Sequence, residues 1–591
     1  MSAVSENPSK NALISKWWPV LALVALTVLA TGSTFRPYPV YGHSAGMDAA
    51  RLFEMHRAVE NGDYYARWWP DLYWGYGSPL PTMYAPLGYL VAEAFNVVFL
   101  RGTALKLSFA LAVLVAAIGM FLLVRRRTGP EAAFAAATLY VLAPYFLAET
   151  YVRSALAELW GFALIPWVIY FLFHHLDEKG CARCLAGAAI SYGLLGIAHN
   201  VSALIYSPLL VLFILMVYPR KWWWRGALVL AVGLALSAFF WLPALGLKGA
   251  VQSEASLTTG YFSFEKHFIP FAELFIPRWG YGPPGSGPGG MSRQLGGIHW
   301  LIVIAGAMAL SRWKDLEGRR QYMPFFVFFL VGFVFTQPLS YAFWQYVPLL
   351  KFVQFPWRFL MAATFGATVL AGVLFEQQRE RFGEKPMKAA AVLMTIVAIG
   401  AYSGYAKAHF LLVDLSTGQM VEVSADEVEA KAADPRFVTF DEFLTVENVR
   451  RAGITGTASD DFLPVGVKTK PTGPPSRTFE IVEGSMGVNG REKGYNNYEA
   501  LIMASTPGKL ALQVFDFPGW RVEMDGEPIP TQTHPEFGTV VFDVPAGKHI
   551  ATARYTRAPI HTAGDVVSLL GVLATLALLS GRVMRRRDDG A

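Results

Sequence analysis

The stretch WWPVLALVALTVLA, residues 17–30, is an apolar run between two lysines and a charged loop. Lys10 and Lys16 precede it, as basic residues precede the apolar core of a secretory signal peptide. No clean small-residue cleavage site separates the run from the charged loop. The stretch therefore predicts an uncleaved first transmembrane helix over residues 17–35.

Apolar runs of this kind recur along the 591 residues, of which 54% are hydrophobic and only 16% are charged. The mean hydropathy is +0.36. Runs of about twenty residues are long enough to cross the hydrocarbon core of a bilayer. The predicted spans are 17–35, 104–124, 131–149, 157–175, 184–200, 203–218, 226–246, 297–312, 322–340, 357–376, 388–405 and 563–583. The chain is predicted to be a polytopic α-helical membrane protein with about twelve transmembrane helices, and no soluble class fits.

Basic residues follow the apolar runs in clusters, at 125–127, 220–221, 319–320, 379–388 and 585–587. The net charge of +6 is small for this length, and its distribution is typical of cytosolic loops rather than of a nucleic-acid-binding face. If the N-terminus is cytosolic, the number of spans puts every cluster on the cytosolic side. The chain is therefore predicted to be a multi-pass protein of the cell membrane. The apolar segment from 80 to 100 would break this parity, and its prolines favour a re-entrant or interfacial stretch.

The same count divides the chain into three parts. Residues 1–405 are predicted to form the transmembrane domain, with external loops at 36–103 and 247–296. Residues 406–562 are predicted to form an external α/β domain, and 563–591 the last transmembrane helix and a basic cytosolic tail. Alternating stretches such as KLALQVFD and TVVFDVP predict a β-sandwich-like distal half. The part up to about residue 450 is predicted to be more helical, with SADEVEAKAADP as a charged surface helix.

The stretch HSAGMDAARLFEMHRAVENGDYYARWWPDL, residues 43–72, carries the first candidate site residues. As a helix, it places Asp48 at the head of an apolar stripe that should pack on membrane helices. Burial would raise the pKa of this carboxyl unless a cation compensates, whereas capping of the helix N-terminus is an alternative role. Glu54 and His56 are expected to face water, although His56 is also a candidate substrate ligand. Asp71 is a second candidate acid.

Further ionisable and polar residues are predicted to lie at the outer ends of membrane spans, where such groups are costly and often mark a site. In YVRSALAE, Arg153 and Glu158 should pair across a tight turn, and a structural ion pair is the alternative to a site. His199 and Asn200 are predicted to lie at the outer end of the next span. A lone histidine is more often a hydrogen-bonded core residue than a ligand. Arg358 could bind a ligand phosphate or extend to the phosphates of the bilayer.

A cofactor is not required by the sequence, which is compatible with a divalent metal ion. The first external loop contains no Asp-x-Asp pair. Cys181 and Cys184 could join His174 and His175 in a zinc site, but the order and spacing of the ligands are poor. The two cysteines are therefore predicted to be inert free thiols.

Several of these stretches together resemble one family. They are HSAGMD and GDYYARWWPDLYWGYGSPLPTMYAPL in the first loop, then Y-x-R-S-A-x-A-E, AHN and QFPWRF. The pattern is similar to that of the 6-pyruvoyl-tetrahydropterin-synthase-related membrane proteins, although nothing in it suggests pterin chemistry. That family belongs with the GT-C membrane glycosyltransferases. The stretches FPGWRVEMDGEPI and VPAGKHIATARY resemble the C-terminal domain of YfhO-like membrane proteins, which belong to the same group.

The resemblance implies a polyprenyl-phosphate-linked sugar as donor and an essential acid in the first external loop, which corresponds to Asp48. The family's frequent His-Asp start is replaced here by His43-Ser44, so Asp71 stays the second candidate. Asp48 would act as general base for the acceptor, and Arg153 or Arg358 would stabilise the leaving phosphate. The acceptor could be a glycan, a lipid or a protein.

Two other functions remain open at this point. One is a non-enzymatic transporter or assembly factor for lipid-linked glycans, and the other is a glycan ligase or polymerase. A transporter should carry polar residues near the middle of the bilayer and broken helices in matching halves. The polar residues predicted here lie at outer helix ends and the halves do not match, which favours glycosyl transfer.

Overall fold

The computed structural model describes residues 10–178, 180–285, 287–312, 314–457 and 459–580. In that part of the chain, seven helices are long and apolar enough to cross a membrane: Trp17–Thr34, Arg101–Arg125, Leu156–Asp177, Asn200–Val217, Pro356–Arg379, Glu384–Tyr405 and Pro559–Leu579. Three bent pairs bring the number to ten if each is one span: Pro130–Val141 with Pro144–Val152, Arg220–Leu236 with Ala238–Gly246, and Gly318–Phe335 with Pro338–Tyr346. Ala182–Ala198 and Gly297–Arg312 are shorter apolar helices. Each of the twelve predicted spans coincides with one of these helices or pairs, and the polytopic helical class is confirmed.

In chain order the helices before the β-rich part are α1 (Lys10–Thr31), α2 (Ala45–Glu60), α3 (Leu80–Met83), α4 (Leu87–Asn96), α5 (Arg101–Arg125), α6 (Pro130–Val141), α7 (Pro144–Leu147), α8 (Leu156–Asp177), α9 (Ala182–Ala198), α10 (Asn200–Val217), α11 (Trp223–Leu236), α12 (Ala238–Gly246), α13 (Ser253–Thr258), α14 (Gly297–Arg312), α15 (Leu316–Phe335), α16 (Tyr341–Tyr346), α17 (Leu360–Phe382) and α18 (Glu384–Tyr402). A π-helical turn, Ala148–Val152, continues α7. The remaining helices are α19 (Val428–Ala432), α20 (Phe440–Phe443), α21 (Val446–Ala452) and α22 (Pro559–Leu579).

The segment from 80 to 100 does not form a span. It forms the two short helices α3 and α4, separated around Pro86, and α4 packs against α2 and α5. Proline removes a backbone donor and fixes φ, so a continuous helix cannot pass through this segment without a break. Val97, Val98 and Leu100 then lie exposed before α5 begins. The break in the segment agrees with the prediction that it is not a full span, and a re-entrant or interfacial position stays a prediction.

The predicted cytosolic clusters meet at one end of the helix bundle. Arg126 and Arg127 both donate hydrogen bonds to Oε1 of Gln321, over 3.1 and 3.0 Å. Arg320 donates to the backbone oxygen of Tyr218 over 3.0 Å. Tyr218 lies two residues before the basic pair at 220–221. Three of the five clusters therefore share one side, as the parity of the spans requires. The cluster at 585–587 lies outside the described residues.

The strands lie between residues 409 and 555, which form the β-rich part of the chain. They are β1 (His409–Asp414), β2 (Gln419–Ser424), β3 (Phe437–Thr439), β4 (Phe479–Glu483), β5 (Met486–Gly494), β6 (Asn497–Ala504), β7 (Gly508–Phe515), β8 (Trp520–Met524), β9 (Glu527–Ile529), β10 (Thr531–Thr533), β11 (Thr539–Val544) and β12 (Gly547–Tyr555). The distal strands form two antiparallel sheets, with orders β10-β11-β7-β4 and β5-β6-β12-β8-β9. Gly490 in one sheet lies against Phe479 in the other, where a Cβ would collide with the ring. The distal half thus has the two-sheet arrangement that the alternation predicted.

The proximal part of this region, up to about residue 450, differs from the prediction that it is more helical. Residues 409–439 form a three-stranded antiparallel sheet of order β2-β1-β3, and the charged stretch SADEVEAKAADP holds only the five-residue helix α19. Phe410, Leu411 and Leu412 are buried on β1, which also pairs through Phe410 with Val40 of the first loop. Contact with a distant segment stabilises β1 as a strand, and local charge patterning could not indicate that contact.

The two cysteines are bonded to one another rather than free. The disulfide joins Cys181 and Cys184, three positions apart at the start of α9, and their Cα atoms are 5.4 Å apart. That separation is inside the range that a disulfide requires. The prediction of two free thiols is therefore wrong.

The predicted topology can be tested by introduced cysteines. Ser485→Cys lies exposed in the turn between β4 and β5, and Ser580→Cys follows α22. We expect a membrane-impermeant maleimide to label Ser485→Cys on intact cells and to label Ser580→Cys only after lysis, because one span separates the two sites. The paired native cysteines should contribute no background. The reverse pattern of labelling would show that the topology is inverted.

Candidate functional site

The start of α2 is fixed to the chain that follows the π-helical turn. The backbone N–H groups of His43 and Ser44 donate to the carbonyl oxygens of Val152 and Arg153, over 3.0 and 2.9 Å. Ser154 adopts a left-handed φ of 50°, which is uncommon for a residue with a Cβ. The first-loop helix therefore begins beside the backbone of Arg153.

Asp48 lies four residues after Ser44 and is only 2% exposed. The N-cap position belongs to Ser44, so the alternative that Asp48 caps the helix is wrong. Its Oδ1 accepts hydrogen bonds from the hydroxyl of Tyr89 over 2.6 Å and from Nη1 of Arg51 over 3.3 Å. Its Oδ2 has no hydrogen-bond partner among the described residues. The carboxyl is thus held by one oxygen and left free at the other.

The surroundings of Asp48 bring the pKa of its carboxyl close to neutral pH. Burial raises the pKa of Asp48 to about 6, while the charge of Arg51 and the hydrogen bond from Tyr89 limit the rise. Arg51 is itself fixed, because Nε donates to the backbone oxygen of Gly456 over 2.8 Å and the guanidinium lies 3.8 Å from the ring centre of Tyr84. A carboxyl with such a pKa can accept a proton at neutral pH.

A second polar group lies around Arg153. Nη1 of Arg153 donates to both carboxylate oxygens of Glu149, over 2.7 and 2.6 Å, and also contacts Glu158. Nε of Arg358 lies 3.3 Å from Glu158 Oε2, and the hydroxyl of Tyr145 donates to Oε1 over 3.1 Å. The predicted pair of Arg153 and Glu158 is confirmed. Two arginines and two glutamates therefore form a buried cluster in which positive and negative charges balance.

Arg358 is held in this cluster by its own loop. Nη1 donates to the backbone oxygen of Val353 over 2.9 Å and to the side-chain oxygen of Gln354 over 3.1 Å. Gln354 has a left-handed φ of 64°, so the loop before α17 is bent sharply at this point. Among the described residues, Nε of Arg358 forms no hydrogen bond and is paired with Glu158 through charge alone.

His199 and Asn200 have structural contacts at the start of α10. Nδ1 of His199 accepts from the backbone N–H of Ser202 over 3.3 Å, which makes His199 the N-cap of that helix. His199 also lies close enough to Glu158 to interact with its charge. Asn200 donates to the backbone oxygen of Met83 over 3.4 Å and so contacts the first loop.

The remaining candidates lie elsewhere on the first loop. Nδ1 of His56 lies 2.8 Å from Glu93. Asp71 is fully buried and forms ion pairs with Arg57 and Arg450, the second over 2.7 Å. Asp71 therefore joins the loop to α21 in the β-rich part. Across the described ranges, no hydrogen bond or ion pair joins Asp48 to any of the other predicted site residues.

Glu54 was expected to face water, and that expectation is wrong. The residue is fully buried because α2 packs against α4 and α5 on one side and lies against the β-rich part on the other. Neither carboxylate oxygen has a hydrogen-bond partner among the described residues. Burial raises the pKa of Glu54 to about 8, although Arg57 and Arg450 lower it. Periodicity along α2 gave no signal for this second buried face.

The one group of potential metal ligands found among the described residues lies away from Asp48. It consists of His174, Glu178 and Cys184, near the basic end of the bundle. The sulfur of Cys184 is bonded to Cys181, so it cannot act as a thiolate ligand.

Comparisons with known proteins identify one family. The family described as "6-pyruvoyl-tetrahydropterin synthase related domain; membrane protein" matches residues 82–411, which is more than half of the chain. No curated protein sequence matches.

Solved structures show weaker similarity. The oligosaccharyltransferase AglB from Archaeoglobus fulgidus, in complex with an inhibitory peptide and a dolichol-phosphate, is 15% identical with a TM-score of 0.42; the match covers 66% of this chain and 56% of that one. The arabinofuranosyltransferase AftD from Mycobacteria is 18% identical with a TM-score of 0.40, over 68% and 28% of the two chains. ArnT from Cupriavidus metallidurans, bound to undecaprenyl phosphate, is 15% identical with a TM-score of 0.32, over 61% and 78%.

Glu54 should make stability depend on pH. Because its pKa is about 8 in the folded chain and 4.5 ordinarily, the folded state binds more protons between these values, and stability falls as pH rises from 4.5 to 8. Glu54→Gln should remove this loss and raise the apparent melting temperature at pH 8 by about 2 °C or more. Thermal unfolding of the purified protein, followed by intrinsic fluorescence at pH 5 and pH 8, measures this melting temperature. Glu60→Gln, exposed on the same helix, should keep the wild-type dependence of the melting temperature on pH. If Glu54→Gln keeps that dependence as well, the assignment of the effect to Glu54 is refuted.

The two glutamates of the Arg153 cluster should differ in their effect on stability. Glu158 contacts both arginines, whereas Glu149 contacts Arg153 alone. Glu158→Gln should therefore cost about 3 kcal/mol or more, because Arg358 loses its carboxylate partner while buried. Glu149→Gln should cost less, since both arginines keep Glu158. Thermal unfolding of the two variants under one condition checks the order, and equal losses would contradict it.

Proposed function

We propose that this chain, which belongs to the family of 6-pyruvoyl-tetrahydropterin synthase related membrane proteins, is a membrane glycosyltransferase. It moves a sugar from a polyprenyl-phosphate-linked donor to an acceptor hydroxyl at the external face of the cell membrane. The resemblance of its motifs to GT-C enzymes supports the donor class. A donor with a polyprenyl chain stays in the bilayer, so an enzyme that uses it must reach the reacting carbon at the membrane surface.

The observation that carries the proposal is the half-free carboxylate of Asp48. Tyr89 and Arg51 hold Oδ1 in place, and Oδ2 lies buried without a partner. An acceptor hydroxyl can donate to Oδ2 as its oxygen attacks the anomeric carbon of the donor sugar. The new bond joins that carbon to the acceptor oxygen, the bond to the phosphate oxygen breaks, and the proton passes to Asp48. The product leaves as a glycoside together with a polyprenyl phosphate.

Arg153 and Arg358 are the proposed ligands of the leaving phosphate. The α-helical rise of about 1.5 Å per residue puts Asp48 about 6 Å along α2 from Ser44, whose N–H binds the backbone of Arg153. Arginine binds phosphate through paired N–H donors, and Nε of Arg358 is held only by an ion pair with Glu158. Because Glu149 and Glu158 already neutralise both arginines, phosphate must compete with a carboxylate for them. That competition would help to release the phosphate after transfer.

Asp48→Asn tests the base directly. The amide fills the same volume and can still accept from Tyr89, but it cannot take the acceptor proton. We expect turnover to fall by about a hundredfold or more while the protein stays folded. The assay uses purified protein in nanodiscs and radiolabelled donor lipids extracted from the native membranes. Glu60→Gln on the same helix is the matched control and should transfer sugar normally.

The dependence of rate on pH gives an independent check. Because the pKa of Asp48 is about 6, kcat/KM of the wild type should fall below pH 6 as the carboxyl becomes protonated. The residual rate of Asp48→Asn should lack that fall. Near-normal turnover by folded Asp48→Asn would transfer the role of base to Asp71, and normal turnover by Asp71→Asn as well would exclude both acids as the base.

A further inference from the structure

Asp48 lines a cleft that the first loop does not form alone. Its walls come from α2, from the start of α5 and from the β-rich part, and its polar lining residues are Asp48, Lys106, Ser154 and Asp441. Asp441 lies on α20, almost four hundred residues along the chain from Asp48. Phe109 and Phe440 supply apolar surface in the same cleft. The proximal part of the β-rich region therefore completes the surroundings of the proposed base.

The cleft contains two carboxylate oxygens that are free to accept hydrogen bonds. Oδ2 of Asp48 and Oδ1 of Asp441 are both buried and have no hydrogen-bond partner among the described residues. The ammonium of Lys106 already donates to the backbone oxygens of Arg36 and Tyr38, over 2.6 and 2.7 Å. Buried acceptors without partners are costly, so a ligand that brings donors would be bound favourably.

Asp441 packs closely on the start of α5. An ideal Cβ on Gly102 would collide with Asp441 Oδ2, so the carboxylate lies directly against the backbone of Gly102. The charges of Arg101 and Lys106 also act on this carboxylate. Thr439 and Glu442 form a capping box that fixes the turn carrying Asp441. The free oxygen of Asp441 is therefore presented by a rigid support.

We propose that this cleft is the acceptor subsite and that it takes a neutral sugar, whose hydroxyl groups donate to Asp48 Oδ2 and Asp441 Oδ1. The inference rests on the proposed function and adds the class of the acceptor. A phosphate group fits poorly, because it would face two carboxylates whose free oxygens repel it, while the ammonium of Lys106 is already held by two backbone oxygens. A purely apolar ligand would leave both oxygens unsatisfied. A sugar satisfies the oxygens with its hydroxyl groups and packs its C–H surface against the two phenylalanines.

In this arrangement the two carboxylates have different roles. The hydroxyl bound to Asp48 is the one that reacts, and it loses its proton to that residue. The hydroxyl bound to Asp441 stays intact and sets the orientation of the ring. Loss of Asp441 should therefore weaken binding of the acceptor and leave the binding of donor unchanged.

The test measures binding of methyl glycosides to the full chain in nanodiscs by saturation-transfer NMR. The probes are methyl α-mannoside, methyl β-galactoside and methyl α-glucoside, with glucose 1-phosphate and Mn²⁺ as competing classes. Asp441→Asn keeps the size of the side chain and replaces one carboxylate oxygen by an NH₂ donor. We expect at least one glycoside to bind the wild type and to bind Asp441→Asn about tenfold more weakly.

Two further variants guard the interpretation. Asp434→Asn changes an exposed carboxylate of the same region, paired with Arg436, and should bind like the wild type. Ala49→Val narrows the cleft without touching Asp441 and should also weaken binding, which covers the case in which Asp441→Asn fails to fold. Equal binding by wild type, Asp441→Asn and Ala49→Val would overturn the proposal. Preferential binding of glucose 1-phosphate or Mn²⁺ in this cleft would overturn it as well.

The same variants in the transfer assay separate this inference from the proposed function. If the wild type transfers sugar and Asp441→Asn raises the acceptor KM with an unchanged donor KM, both stand. If the wild type transfers sugar and the acceptor KM is unaltered in Asp441→Asn, the subsite is wrong and the glycosyltransferase remains. If the wild type binds glycosides through Asp441 but transfers none, the proposed function fails and the binding site remains.

Discussion

Two backbone hydrogen bonds, from His43 and Ser44 to the carbonyls of Val152 and Arg153, fix the relation between the first loop and the membrane helices. The left-handed φ of Ser154 turns the chain away immediately afterwards, at a cost of about 1–2 kcal/mol. Gly42 lies against Ser154 so closely that a Cβ would collide with it. This junction therefore ties the helix that carries Asp48 directly to the chain that carries Arg153.

Buried charge imposes a second constraint, which follows from the first. Each carboxylate around the junction lies beside a cation: Glu149 and Glu158 beside Arg153 and Arg358, Asp48 beside Arg51, and Asp71 between Arg57 and Arg450. Isolated buried charges would be strongly destabilising, whereas these clusters are tolerated because positive and negative groups alternate. Glu54 has no direct ion-pair partner, which explains why its neutral form is favoured up to a pH of about 8.

The sequence predicts the parts of this arrangement that depend on local signals. Hydropathy locates the spans because an apolar run of about twenty residues has few other stable environments. The five-residue spacing of Arg153 and Glu158 across a turn was sufficient to predict their pairing. The burial of Glu54, the strand β1 and the presence of Asp441 in the cleft depend on docking between segments hundreds of residues apart. Periodicity describes one face of a helix against one environment, and α2 is covered on two sides, so the pattern along α2 predicted only half of its contacts.

The β-rich part is therefore a structural component of the site rather than an appendage. Arg51, which holds Asp48, donates to the backbone of Gly456, and Trp68 of the first loop packs its ring on Phe517, Trp520 and Tyr555. Loop and β-rich part bury each other's apolar and charged surface, so neither should keep this conformation alone. A rigid frame of this kind suits a reaction in which a membrane-bound donor and a separate acceptor must meet at one carboxylate. Orientation of two reactants, more than any single charged group, is the contribution that such a frame can make to the rate.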